Sequence, residues 1–395
     1  MTRSIKNLIS LSVTVTLVLI LWFGHNHLSI DDEYSAQTQS MSGEPVIDTK
    51  GDENMTEAFQ NISDLEPENE SIEQRVDRKY ESNEFQAGMN LLVYGHPNIS
   101  DAKKLFNHLN SLGINSVTIT FPFYQKDWQA NHVMSDPTIT PTISELKSLI
   151  QEAHAEELSV MIRPILDEQS LITSGHWRGQ IQPTDPKEWF NSYRSLLLKY
   201  AELAQSNNVE FFNIGTEFNS LQNRYSDEWV KLIEDLRENY KGELIYSFNW
   251  DTVLDISTIE FVQLLDHIGI DAYYPLDAPD GASLETLEKA WGKWISELKT
   301  LTNQESIIIT EAGMIPVDGA YRQPYAWSIP GGKLDRQAQA TYYEATYNAL
   351  RSVSKGIYWW CVTLDQDPGV IDYSPLNSPT EQVIKQHFLK DFIGE

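Results

Sequence analysis

The chain has 395 residues, 57 acidic and 29 basic, for a formal charge of −28 at pH 7, and 11% of it is aromatic, including 11 tryptophans. So acidic a surface repels phosphate backbones, which argues against a nucleic-acid partner. A single cysteine excludes a disulfide framework and a thiolate metal cluster, so the fold stands on its apolar core.

Residues 1–30 read as an export segment. Arg3 and Lys6 precede Leu8–Phe23, sixteen residues without charge or proline. That length lies between a signal-peptide core and a full membrane span, and no small-x-small cleavage site follows, so an uncleaved signal-anchor is expected, with secretion after cleavage as the alternative. Positive charge before the run and Asp31, Asp32 and Glu33 after it place the rest of the chain outside the cytoplasm, tethered at the cell surface. Residues 31–85 carry sixteen acidic and four basic side chains with little aliphatic periodicity. Such a stretch cannot bury enough apolar surface to offset its chain entropy, and it reads as a disordered acidic linker.

From residue 86 to 395 the texture changes to β-rich runs that alternate with helical patterns. Eight runs can be counted: Gly88–Tyr94, Asn115–Phe121, Leu158–Ile165, Val209–Ile214, Glu243–Phe248, His267–Ala272, Ser306–Thr310 and Gly356–Cys361. Asp101 is the expected cap of a helix carrying Leu105, Leu109 and Leu112, closed by Gly113. Thr142 and Glu145 form a capping-box pattern, and Asp185, Pro186 and Glu188 repeat it with proline at the first helical position. Trp229, Leu232, Ile233 and Leu236 recur at helical spacing, as do Leu287, Trp291, Trp294, Ile295 and Leu298. Eight βα units over about 300 residues predict an α/β fold, a (β/α)₈ TIM barrel forming one catalytic domain, expected to be monomeric. A doubly wound open sheet is the competing architecture, but Asn90–Tyr94 offers no glycine-rich phosphate loop after the first strand.

Reactive groups of such a barrel sit at the C-terminal ends of its strands. Glu217 ends the fourth run in Ile214-Gly215-Thr216-Glu217, and Glu311 ends the seventh in Thr310-Glu311-Ala312-Gly313. Either alone is a weak signal; on strands four and seven of an eight-unit pattern the pair is telling. The arrangement is similar to the clan of retaining (β/α)₈ glycoside hydrolases. More narrowly, residues 88–365 resemble glycoside hydrolase family 113, the β-mannanase family. The stretches that carry the resemblance are Tyr124-Gln125, Ala153-His154, Arg163-Pro164-Ile165-Leu166-Asp167, His176-Trp177-Arg178-Gly179, Ile214-Gly215-Thr216-Glu217, Tyr273-Tyr274-Pro275-Leu276 and Ile357-Tyr358-Trp359-Trp360.

The resemblance implies a glycosidase that cuts a β-linked polysaccharide or oligosaccharide, β-1,4-mannan above all, with no cofactor or metal. Glu217 would be the acid/base and Glu311 the nucleophile of a double displacement, for which the two carboxyls must lie about 5–5.5 Å apart. It also makes Trp360 the platform under the reacting sugar, with Trp359 facing the helices, and gives Tyr273 or Tyr274, with Tyr274 favoured, the bond that keeps Glu311 ionised. Trp177 and Arg178 after the third strand, and Asn249 and Trp250 after the fifth, are the remaining candidates for sugar contacts. Many clan members carry Asn before the acid/base to bind the sugar 2-hydroxyl; Thr216 stands there instead. The alternatives are a clan relative cutting another β-glycan, such as an exopolysaccharide or wall polymer, and a non-catalytic glycan-binding barrel. Sugars stack their C–H faces on aromatic rings. Of the tryptophans, Trp189, Trp229, Trp291 and Trp294 read as core, whereas Trp128, Trp177, Trp250, Trp327, Trp359 and Trp360 fall at strand ends or in loops.

Overall fold

The computed structural model describes residues 84–302, 306–365 and 369–393. The run Leu8–Phe23 and the acidic segment through residue 83 lie outside the described residues, among which no helix is long and apolar enough to cross a membrane.

Eight strands, β1 (Gln86–Leu92), β2 (Ser116–Phe123), β3 (Ser159–Leu166), β4 (Phe211–Thr216), β5 (Glu243–Asn249), β6 (His267–Asp271), β7 (Ile307–Ala312) and β8 (Gly356–Val362), close into a barrel in chain order. Each pairs in parallel with its neighbours, and β8 closes on β1. This is the (β/α)₈ barrel expected from the alternating pattern. Its longer helices are α1 (Ile99–Ser111), α2 (Ile143–Ala155), α3 (Pro186–Ser206), α4 (Ser226–Asn239), α5 (Leu284–Thr302), α6 (Arg336–Leu350) and α7 (Pro379–Ile393). No long helix separates β5 from β6. Two 3₁₀ segments, Val253–Thr258 and Glu260–Leu264, cover that part of the sheet with Val253, Ile256, Phe261 and Val262.

The helix starts follow local chemistry. Thr142 accepts from the Glu145 amide while Glu145 reaches back to the cap, a complete capping box that leaves fewer orphan N–H groups on α2. Asp185 accepts from Glu188 N–H ahead of Pro186. On α1 the cap is Asn98, not Asp101: Asn98 accepts the Ser100 amide, and Asp101, already in the first turn, pairs with Lys104 at 2.9 Å. There its charge still favours the positive helix N-terminus.

Alternation along the strands divides the core in two. Met161, Phe211, Ile245, Ile308 and Tyr358 form one apolar cluster, while Ile162, Phe212, Leu244, Ile309 and Ile357 belong to the larger cluster under the helices. The first five fill the barrel interior. Two residues further along each of those strands stand Arg163, Asn213, Ser247, Thr310 and Trp360, so a polar layer sits on the apolar one, toward the C-terminal face. Gly88 makes room for the lower layer, because a Cβ there would lie 2.2 Å from Tyr358 Cδ1. The Tyr358 hydroxyl meets Ser116 Oγ at 2.7 Å and Gln86 Oε1 at 2.6 Å, which limits the ring's freedom to move aside. Gly88→Ala is therefore expected to cost about 1–3 kcal/mol by overpacking, or more. An unshifted urea midpoint in that variant would refute this account of the interior.

Candidate active site

The C-terminal ends of β3 through β7 bring together a compact set of ionisable groups. Glu217 follows β4; its amide still donates to Ser247 O of β5 at 2.9 Å, while its φ of 54° turns the chain out of the strand. A non-glycine residue in the left-handed region is costly, and such positions cluster at functional sites. Glu217 Oε1 accepts from Asn249 Nδ2 at 2.7 Å, and Oε2 lies 3.7 Å from Arg178 Nη1. Glu311 lies on β7, in register with Asp271 at the end of β6. The Tyr273 hydroxyl donates to Glu311 Oε2 at 2.6 Å, and Arg163 Nη2 stands 2.7 Å from Oε1.

Arg163 organises the layer beneath. Its fully buried guanidinium meets Asp271 at 2.9 and 3.0 Å through Nη2, and Nε donates to Thr216 Oγ1 at 3.2 Å. Thr310 Oγ1 donates to Asp271 Oδ1 at 2.8 Å and accepts from Ser247 Oγ at 2.9 Å, and Asn213 Nδ2 donates to the same serine hydroxyl. Asn90 Nδ2 donates to Thr310 O at 3.0 Å from β1, past the intervening β8. Burial alone would weaken the guanidinium's charge, but Asp271, Glu311 and Glu217 around it outweigh that and hold it protonated.

The two glutamates differ in their proton affinity. Burial pushes Glu217 well above the ordinary carboxyl range, helped by the Asp271 charge and only partly opposed by Arg178. Burial also raises Glu311, but Arg163 and the Tyr273 hydrogen bond oppose it, and it is pushed up only to about 7. Glu217 is the group that keeps its proton, and Glu311 the one that gives it up. Two carboxyls whose surroundings separate their affinities in this way can serve as an acid and an anion side by side.

Not all the residues singled out from the sequence gather here. Tyr273, not Tyr274, bonds Glu311, since alternation along extended backbone puts Tyr273 on the same side as Asp271. Tyr274 is a correction as a substrate contact: it is buried, with ring centroids 5.7 Å from Trp291 and 5.0 Å from Trp294 on α5. Trp250, half-buried, packs edge-on against Tyr274 and Trp294. Trp359 stacks on Tyr343 of α6 at 4.3 Å, whereas the Trp360 ring has the Arg163 guanidinium 5.9 Å from its centroid. Thr216 spends its hydroxyl as an acceptor on Arg163. Trp177 is half-buried on the loop between β3 and α3, its ring over Gly179, where a Cβ would lie 2.3 Å from Cη2. Asn249 and Arg178 both face Glu217.

Sequence reasoning missed Asp271 and the site role of Arg163. The available signal was charge at an inward strand position, since Arg163 and Asp271 each stand two residues beyond an apolar or glycine position of the barrel interior. It also missed the pair at the ends of β1 and β3, where Tyr94 Oη donates to Asp167 Oδ1 at 3.0 Å. Among the described residues, no group of three His, Cys, Asp or Glu side chains is placed to hold a metal ion.

A parallel eight-stranded barrel that gathers two buried carboxyls of unequal surroundings at its C-terminal face has the layout of a barrel enzyme able to hold an acid beside an anion. The profile of Glycoside Hydrolase Family 113 matches residues 93–366, so the chain belongs to this family and is a glycosidase. Among solved structures, the family 113 β-mannanase of Alicyclobacillus acidocaldarius is 22% identical with a TM-score of 0.67, covering 78% of this chain and 98% of its own. Another family 113 β-1,4-mannanase is 23% identical with the same score, covering 78% and 99%. A Ruminococcus gnavus β-glucuronidase shares the barrel at 12% identity and a TM-score of 0.54, covering 78% of this chain and 51% of its own. No curated protein matches the chain.

The raised Glu217 carboxyl has a measurable cost. As pH climbs past the ordinary carboxylate range the unfolded chain ionises first, while the folded form must either hold the proton or bury a charge, so stability falls toward the raised folded value. Glu217→Gln keeps the acceptor for Asn249 and removes that penalty. It is expected to melt above the parent at neutral pH, with the gap closing below about pH 4; parallel melting curves across that range would contradict the burial of an ionisable proton here.

Proposed function

We propose that the chain hydrolyses a β-linked polysaccharide with retention, as an endo-β-1,4-mannanase, with Glu217 as acid/base and Glu311 as nucleophile. The observation that carries this reading is the unequal surroundings of the pair: Glu217 is bonded by the Asn249 amide with Arg178 only at 3.7 Å, while Glu311 is braced by Arg163 at 2.7 Å and Tyr273 at 2.6 Å. Glu217 protonates the leaving oxygen while Glu311 attacks the anomeric carbon. Oε2 is the better attacking oxygen, because it is bonded to a neutral phenol rather than a guanidinium. Once Glu311 becomes an ester its charge is gone, Glu217 grows more acidic, and it takes a proton from a water whose oxygen bonds the anomeric carbon as the bond to Glu311 breaks, which frees the sugar and restores the Glu311 carboxylate. Removing either carboxyl is worth orders of magnitude in rate, since general acid help alone contributes about 10²–10⁴-fold.

The mannan assignment draws on the family and on the β-mannanases among its structural neighbours. One feature favours a second substrate within the same chemistry. Thr216 is buried beneath the site with its hydroxyl turned to Arg163, so the sugar 2-hydroxyl takes its contact elsewhere, and Asn249 beside Glu217 is a candidate, an arrangement suited also to another β-glycan. Trp360 supplies the platform for the reacting sugar. The run Leu8–Phe23 tethers the enzyme at the outer cell surface, with residues 31–85 as spacer.

Two experiments test this. Glu311→Ala should lose mannan hydrolysis by more than about 10³-fold and regain turnover of an activated aryl glycoside with azide, yielding the inverted azide product; unchanged turnover would end the assignment, and a panel of mannan, glucan, xylan and galactan separates the two substrates. Full-length protein should sediment with membranes and lose that behaviour when residues 1–30 are removed; a soluble full-length chain refutes the tether.

A further inference from the structure

The loop from Asp167 to Asp185, between β3 and α3, is bound on two sides. Ser170 Oγ donates to Gln125 O at 2.6 Å and Gln182 N–H to Trp128 O at 2.7 Å, both on the loop after β2. Ser220 Oγ, in the turn after β4, donates to Ile181 O at 2.6 Å. This framework presents Arg178 to the reacting centre. Glu168 Oε1 lies 3.0 Å from Arg178 Nε and accepts the Arg178 backbone N–H at 3.2 Å. The Nε contact is an ion pair of poor hydrogen-bond alignment, so that N–H has no well-aligned acceptor. From this clamp Nη1 reaches to 3.7 Å from Glu217 Oε2, the oxygen that Asn249 leaves free. The guanidinium and the Glu168 carboxyl are only 15% and 23% exposed, so solvent screens the three groups weakly.

Building on Glu217 as the acid/base, we propose that Arg178 is a positioning residue for that carboxyl, held in place by Glu168, so that the β3–α3 loop sets how readily Glu217 gives up and retakes its proton. An opposite charge favours the ionised form of a carboxyl, so Arg178 works against the burial that keeps Glu217 protonated. The benefit falls on the second half-reaction, when Glu217 must accept a proton from water. Glu168 tempers the effect, since it neutralises part of the arginine's charge. Arg178 is thereby distinguished from a sugar contact, which would act on substrate affinity alone.

The test is a set of pH profiles on full-length enzyme. With a dinitrophenyl β-manno-oligoside, whose leaving group needs no acid, breakdown of the glycosyl-enzyme limits kcat. Arg178→Met should lower that kcat on the order of tenfold at pH 6 and recover toward the parent as pH rises. With mannan, the basic limb of kcat/KM should move to higher pH in Arg178→Met and to lower pH in Glu168→Gln, which keeps the contacts but not the charge. Limbs that stay in place while KM rises make Arg178 a substrate contact and overturn the proposal; equal losses in both variants at every pH reduce the loop to a scaffold and overturn it too. Glu217→Gln separates the two levels: if its basic limb persists, Glu217 is not the acid and the functional reading itself fails.

Discussion

A single buried cation orders the reacting centre. Arg163 is wholly removed from solvent, and an unpaired guanidinium there would cost several kcal/mol. Asp271 meets that cost with two contacts, Thr216 Oγ1 accepts from Nε, the Thr310 carbonyl accepts from Nη1, and Glu311 is drawn to its outer edge. The strand ends have little freedom once this is satisfied. β4, β6 and β7 each supply a partner to one side chain of β3, so their relative heights at the C-terminal face are tied together. Asp271, wholly buried, holds the cation with two contacts, while Glu311 meets it through a single carboxylate oxygen and is the less deeply buried of the two partners.

The same economy explains why the two catalytic candidates behave differently although both are buried glutamates. Glu311 shares a cation and a phenol; Glu217 has an amide and a more distant guanidinium. Neither difference lies in the glutamates or in their immediate neighbours along the chain. Each is delivered by another strand or loop, Tyr273 from just after β6, Asn249 from the end of β5 and Arg178 from beyond β3. The chemistry is thus distributed around the rim, which accords with loop variation on a barrel changing activity without changing the fold.

Much of this could be read before folding was considered. Strand count, the capping box at Thr142 and the position of Glu217 and Glu311 are local features, written in alternation, spacing and strand ends. The roles of Tyr273 and Tyr274 were not separable, because adjacent aromatics in an extended segment differ only in which side they face, and that depends on the register of Asp271 with Glu311. Arg163 and Asp271 escaped for a related reason. A charge within an apolar strand carries no mark of its partner when the partner is 108 residues away. Asp101 looked like a cap because it is acidic and near the helix start, while Asn98, which does the capping, sits three residues earlier.

The apolar layer of Met161, Phe211, Ile245, Ile308 and Tyr358 has a further consequence. It makes the barrel a blind well rather than a pore: the polar layer above it meets solvent from one side only. In the double displacement proposed above, the water of the second step would have to enter by the mouth through which the leaving sugar departs, so the order of traffic would be imposed by shape. Proton exchange with solvent is confined to that mouth as well, and the residues around its edge govern it.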